Sequence, residues 1–409
     1  VDARHKAGHD VESVSQNFSG ANHMNIQDRP KGSRERTLDE VKAEFMRRAG
    51  KLNPFEDIKR EDAERVMAAL KNLDKDHWAE QWSKLGHGYE AKGDAAANAG
   101  ANGKELLELY MHGFDACRVG RYPSPVSPGK WKAYQDSLRM FRKAAKHFDP
   151  PLEVIEVPFQ GKTLTGYLQK PPGVAKPPVV LHWGGVDGWK EDRLRIAAHI
   201  MKAALASCTI DGPGTGENPV LYVDPAAEKT LTAWLDHLPS RDDVDGTHVA
   251  VWGGSFGAYW AARLAFTAAD RIKGAVFHGG NVHYGFQKEW LVPAFTTGGA
   301  TYLFGAQSLL DARGRAVGAK TVEEFLDKVA PMSLKTMGLL DKPSAPLLGV
   351  NGKLDDQAPI ADVYLLMEHG NPKSARVYPE GHHMGRTPGQ PAEHITVTIV
   401  EWLRERLAR

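Results

Sequence analysis

At 409 residues the chain exceeds one typical single-core unit, and 42% hydrophobic with 25% charged residues is ordinary globular usage that supports a sizeable core. Lys plus Arg number 52 against 51 Asp plus Glu, so the formal charge of +1 removes any electrostatic case for nucleic acid or an anionic membrane. Two cysteines far apart, Cys117 and Cys208, exclude a disulfide framework and read as packing residues.

In chain order, residues 1–36 are polar and carry no apolar period, which predicts a tail or extended arm. His5 and His9 are four apart within it, but no third ligand stands nearby, so a solvated tail is the better reading. Thr37 with Glu40 forms a capping box, in which hydroxyl and carboxylate satisfy free amides at a helix start. Leu38, Val41 and Phe45 mark one face of that helix, and Gly50 suits its end. Further amphipathic segments carry Ala63, Val66, Met67 and Leu70, then Trp78, Trp82, Leu85 and Tyr89, then Leu106, Leu107, Leu109 and Tyr110. After a Pro-rich break at 122–128, a fifth carries Trp131, Tyr134, Leu138 and Phe141. These predict an all-helical cap domain over 37–150.

The texture changes near residue 151. Residues 152–159 and 163–169 alternate around a turn at 160–162, the pattern of a β-hairpin. Short β-rich runs then alternate with helical stretches at 179–182, 209–211, 249–252, 272–278, 346–351 and 375–378. That order predicts an α/β catalytic domain over 151–409, with a mostly parallel central sheet and helices on both faces. Residues 281–340 show no strand and read as a pocket-shaping insertion. No apolar run approaches the ~18 residues that would suggest a membrane helix. No secretory pattern opens the chain, so the expectation is a cytoplasmic protein; the first residue is Val, which leaves a removed targeting segment open.

The chemistry concentrates in a few turns. Gly253-x-Ser255-x-Gly257 follows an apolar strand and precedes a helix with Ala261, Ala262 and Leu264. This is a nucleophile elbow: a strained strand-to-helix turn presents the serine, and its neighbours two away must be small. Serine needs a base, and the base needs an orienting acid; in the α/β-hydrolase fold they follow in the order Ser, acid, His. Asp355 fits the acid position in a Gly-x-x-Asp turn after an apolar strand, with Asp356 the runner-up. A Gly-flanked loop then carries His382 and His383, of which His383 fits Pro-x-Gly-x-His. The 28 residues from Asp355 to His383 leave room for one helix and one strand. One oxyanion-hole amide is expected from Phe256 and the other from Gly185 or Val186, in a Gly-rich loop ending an early strand. A metal held by His382, His383 and Asp355 is the rival chemistry. It lacks the His-x-x-x-His spacing and leaves the elbow unexplained, so no metal and no cofactor are expected.

Two further turns read as structural. The 211–217 turn, DGPGTGE, lacks the ending of a phosphate loop, and Pro213 removes an amide donor. His278 and His283 end another strand at the same edge and are better explained as satisfied structural histidines.

Together the segments WGGVDGWKE at 183–191, DGPGTGE at 211–217, GGSFG at 253–257, GKLDD at 352–356 and GHHMGR at 381–386 resemble the FrsA-type hydrolases and their 2,6-dihydroxypseudooxynicotine hydrolase-like branch. The resemblance covers roughly residues 100–409. It implies Ser255, Asp355 and His383 as triad, the oxyanion hole above, and the N-terminal helices as a cap over the site. Many members place a second glycine after the position of Gly257, where this chain has Ala258. The expected activity is a serine hydrolase cleaving a carboxylic ester with a bulky or aromatic group. A β-diketone carbon–carbon hydrolase with the same triad is the alternative, and a non-catalytic interaction protein is the reading from another class. The expected partner is a small ester or diketone; a homodimer is left open, and neither nucleic acid nor membrane is expected.

Overall fold

The computed structural model describes residues 35–52, 54–297, 302–369 and 373–408, so His5 and His9 lie outside the described residues. The first helix, α1 (Leu38–Arg48), begins where the capping box stands: Thr37 Oγ1 accepts from Glu40 N at 3.3 Å, and Glu40 Oε2 accepts from Thr37 N at 2.8 Å. The residues just before it are anchored, with Arg36 donating to Leu303 O at 2.8 Å and Glu35 accepting from Gln307 N at 2.8 Å. The end of the predicted tail is therefore held against the chain.

Four helices follow: α2 (Arg60–Ala69), α3 (Lys75–Asn98), α4 (Gly103–Arg121) and α5 (Pro128–Ala145). Asp74, Asn102 and Ser127 cap the last three by accepting from first-turn amides. Small residues let α3 and α4 touch: a Cβ on Gly86 would stand 2.4 Å from Cys117 Sγ and 2.9 Å from Gly113 O. Cys117 and Cys208 are both free and buried, as packing residues should be. Trp131 departs from the predicted apolar face of α5, being 42% exposed.

The sheet begins as the expected hairpin, β1 (Glu153–Phe159) and β2 (Lys162–Gln169), whose turn puts Gln160 and Gly161 at positive φ. Six strands follow: β3 (Pro178–Trp183), β4 (Ala206–Ile210), β5 (Asp245–Gly254), β6 (Gly274–His278), β7 (Leu347–Gly352) and β8 (Lys373–Tyr378). Their order is β1-β2-β4-β3-β5-β6-β7-β8, antiparallel as far as β4 and parallel beyond it. β4 starts three residues before the predicted run and stops at Ile210, because the Asp211 side chain is committed to a turn.

Strand alternation divides the core. Val179, Leu181, Val251, Ala275 and Phe277 face α7 (Ala227–His237) and α8 (Ala258–Thr267). Val180, Ala250, Trp252, Val276 and Leu348 face α6 (Leu194–Lys202) and α13 (Glu393–Leu407). A side chain of this size contributes about 1.5–3 kcal/mol when fully buried, so both faces bind helices firmly. The first cluster also contains Phe45, Trp78 and Trp82, so the N-terminal helices share an apolar core with the sheet. The 281–340 stretch holds α9 (Lys288–Thr297), α10 (Ala306–Val317) and α11 (Val322–Val329), with no strand among its described residues. One helix, α12 (Ile360–Glu368), fills the interval between β7 and β8. No helix among the described residues is long and apolar enough to cross a membrane.

Candidate active site

The parallel strands end at one edge, and the motifs gather there. At the end of β5 the chain turns sharply into α8, with Ser255 at φ +53°. That conformation costs a non-glycine residue roughly 1–2 kcal/mol, and its neighbours explain why it persists. A Cβ on Gly253 would fall 2.4 Å from Gly257 O, and one on Gly257 would fall 2.1 Å from Gly184 O. The turn also has side-chain supports: Trp183 Nε1 donates to Gly257 O at 2.8 Å, and Tyr222 OH donates to Phe256 O at 3.0 Å.

Ser255 Oγ lies 2.8 Å from His383 Nε2, and His383 Nδ1 lies 2.9 Å from Asp355 Oδ2. The other Asp355 oxygen accepts from Gln357 N at 2.8 Å and Ala358 N at 3.1 Å. Burial works to raise the Asp355 pKa, but the adjacent His383 and these amides outweigh it and hold the carboxyl below its ordinary value. Both runners-up stand apart from this relay. His382 is exposed, with its backbone N–H on Arg386 O at 2.9 Å, and Asp356 is half-buried without a hydrogen bond to either histidine. Among the described residues no group of His, Cys, Asp and Glu has the geometry to hold a metal ion.

The Gly-rich loop after β3 passes directly over the serine. A Cβ on Gly185 would stand 2.8 Å from Ser255 Cβ, 3.0 Å from its Oγ and 3.2 Å from Phe256 N. Val186, next in the loop, is buried, and its carbonyl accepts from Trp189 Nε1 at 3.1 Å. Gly185 and the Phe256 amide are thus brought together beside Ser255.

Three supports for these loops were invisible to sequence reasoning. First, Met384 sits at φ +61° beside His383, and its backbone is clamped on both sides. Asn351 Oδ1 accepts from its N–H at 3.1 Å, while His278 Nε2 lies 2.9 Å from its carbonyl. Trp252 Nε1 donates to His278 Nδ1 at 3.4 Å, so Nε2 carries the proton. Burial presses the His278 pKa down to about 3, which keeps this donor neutral. Second, α4 grips the loop over Ser255: Arg121 donates to Asp187 O at 3.1 Å, and Arg118 and Arg121 pair with Asp192 at 2.9 and 3.1 Å. Third, buried Lys190 is ringed by Asp211, Glu191 and Glu217 at 2.6, 2.8 and 2.9 Å, which fixes the DGPGTGE turn as structural. His283 is also satisfied, its Nδ1 2.7 Å from Ser333 Oγ.

Two cavities, about 430 and 190 Å³, open elsewhere: one beside Arg139, Arg142 and Glu217, the other beside Trp78, Lys130 and Asp311. Neither is lined by Ser255 or His383.

The FrsA-like esterase family model matches residues 70–390, starting earlier than the resemblance read from the motifs and ending before α13 begins. An esterase FrsA of Photobacterium profundum is 25% identical over 342 residues, spanning 81% of this chain and 77% of the relative. The 2,6-dihydropseudooxynicotine hydrolase of Paenarthrobacter nicotinovorans is 26% identical over 208 residues, 50% of this chain and 55% of that one. In fold, the chain superposes on the crystal structure of the 2,6-dihydroxy-pseudo-oxynicotine hydrolase with a TM-score of 0.70 at 19% identity, covering 90% of this chain and 95% of that one. A serine turn, a histidine loop and an aspartate turn at one edge of an α/β-hydrolase sheet, with a family match across most of the chain, identify it as a hydrolase that belongs to the FrsA-like esterase family.

Proposed function

We propose that the chain is a serine esterase whose catalytic triad is Ser255, His383 and Asp355. The observation that carries this reading is the continuous relay from Ser255 Oγ through both ring nitrogens of His383 to Asp355. With its Nδ1 proton donated to Asp355, His383 presents a lone pair at Nε2 and takes the Ser255 proton as Oγ attacks the substrate carbonyl. The alkoxide that develops is held by Phe256 N and an amide of Gly185 or Val186. His383 then passes the proton to the leaving alcohol, and water releases the acid by the reverse sequence. Removing one such amide costs about 3–4 kcal/mol of transition-state stabilisation in comparable enzymes.

The five helices of 37–150 act as a cap in this reading, because α4 holds the loop over Ser255 through Arg118 and Arg121. Half-buried Phe256, next to Ser255 and stacked at 3.9 Å on the buried Tyr222 ring, offers a flat apolar surface beside the nucleophile, which favours a bulky or aromatic acyl group. Carbon–carbon cleavage of a β-diketone needs the same triad and differs in its leaving group. Turnover of aryl esters and aromatic β-diketones by wild type and Ser255→Ala tests both. Ester hydrolysis lost in the variant supports the proposal, and diketone cleavage alone transfers the triad to carbon–carbon chemistry. Hydrolysis that survives in Ser255→Ala overturns it.

A further inference from the structure

A buried guanidinium on a helix fastened to this sheet edge has no ionic partner. Arg313, on α10, is 7% exposed, and no carboxylate among the described residues lies within ion-pair distance of it. Other buried or half-buried cations near this edge have polar partners, even where no carboxylate is present: Arg193 donates to His182 Nδ1 and Arg315 to Gly214 O, both at 3.3 Å. Lys190 has its ring of carboxylates, and Arg118 and Arg121 share Asp192. An unpaired buried charge is costly, so one that persists at the edge carrying Ser255 asks for a ligand.

The surroundings of Arg313 belong to the site. Its guanidinium stands 5.3 Å from the Phe295 ring, and Phe295, Phe325 and Phe256 form a chain of rings at 5.2 and 6.4 Å that ends beside Ser255. The helix itself is fastened to the sheet edge, with Ala316 O accepting from Tyr222 N at 2.9 Å and Arg315 donating to Gly214 O at 3.3 Å. The carboxylates near enough to act on the Arg313 charge are Asp355, Asp187 and Asp356. Asp355 is already committed to His383 and two amides, and burial raises the Asp187 pKa, which weakens its claim as a counter-ion.

We propose that Arg313 recognises a negatively charged oxygen on the substrate, placed away from the scissile carbonyl and under the α10 side of the site. Guanidinium forks suit carboxylates, whose two oxygens match two N–H donors. An enolate oxygen offers the same charge. The proposal deepens the serine esterase reading and rests on it for the place of the reacting carbonyl.

Phenylacetate and its neutral isostere phenylacetamide separate charge from shape without turnover. Calorimetry on wild type should find the acid bound at least about tenfold tighter than the amide. Arg313→Lys should keep part of that preference and Arg313→Gln should lose it. Phenylacetate should also slow fluorophosphonate labelling of wild type, each protein being normalised to its own unprotected rate. A 1,3-diketone that outcompetes phenylacetate, again only with Arg313 present, would name the enolate as the favoured source. Equal binding of acid and amide, no binding of either, or a preference that survives in Arg313→Gln overturns the proposal. Wild type that binds phenylacetate through Arg313 but takes no label would instead sink the serine reading and leave the anion site standing.

Discussion

Two glycine-rich turns leave neighbouring parts of the same sheet edge, and they use their polar side chains in opposite ways. After β4, Asp211 spends its carboxylate inside the protein, accepting from Lys190 Nζ at 2.6 Å, Lys190 N at 3.0 Å and Glu217 N at 2.8 Å. After β5, Ser255 has His383 as its side-chain partner and otherwise stands beneath the Gly185 loop. Gly216 and Gly253 are both indispensable, since a Cβ would fall 2.0 Å from Asp211 Oδ2 in one turn and 2.4 Å from Gly257 O in the other. Glycine content therefore does not separate a reactive turn from a structural one. Unspent hydrogen-bonding capacity does.

The comparison predicts that stripping a partner from each turn damages different things. His383→Ala should cut ester hydrolysis by about 10⁴-fold or more, as loss of a triad histidine does elsewhere, while the melting curve stays in place. His382→Ala should change the rate by less than about threefold, and equal damage from both would merge the two histidines in function. Lys190→Met should do the reverse. Leaving Asp211, Glu191 and Glu217 buried around an empty position costs about 3–5 kcal/mol, read by urea unfolding, and any surviving folded enzyme should keep its KM.

The His278 clamp lies between these extremes. His278→Leu removes the donor to Met384 O, so His383 loses its placement and kcat should fall about 10- to 100-fold with little change in KM. Gln can both donate to Met384 and accept from Trp252, so His278→Gln should recover most of that loss; equal loss in both variants would reduce the clamp to packing.

The smallest effect is expected from a partly exposed ion pair between α3 and α5. The hydrogen bond from Arg139 holds the Glu90 carboxyl near 2, against an ordinary 4.5, with burial opposing and Lys143 assisting. A carboxyl depressed on folding contributes stability above its unfolded pKa and loses it as pH falls through the folded one. Glu90→Gln should therefore cost less than about 1 kcal/mol at neutral pH after solvent screening. It should also flatten the decline of Tm between pH 4.5 and 2. A Tm profile parallel to wild type would remove this pair from the acid limb.

Much of this site was legible in sequence because its constraints are local. The elbow needs small residues at fixed offsets from Ser255, the capping box is a four-residue pattern, and Ser255, Asp355 and His383 each follow a strand, apolar for the first two. His383 was separable from His382 only through a loose loop pattern; the structure separates them because His382 stays exposed while its neighbour meets Ser255. The clamp on Met384, the Lys190 ring and the solitary Arg313 were not legible. Each joins residues far apart in sequence, such as Asn351 with Met384 or Lys190 with Asp211, and no periodicity encodes which buried charge finds a partner. The boundary of β4 was missed for a related reason: Asp211 looks like a strand end until its carboxylate is seen turning back to Lys190.

The central claim is that Ser255 is the nucleophile, and intact-protein mass after a fluorophosphonate probe tests it most directly. The account predicts one adduct on wild type, mapped to the peptide carrying Ser255, and none on Ser255→Ala. An adduct on folded Ser255→Ala, or none on folded wild type, would contradict it.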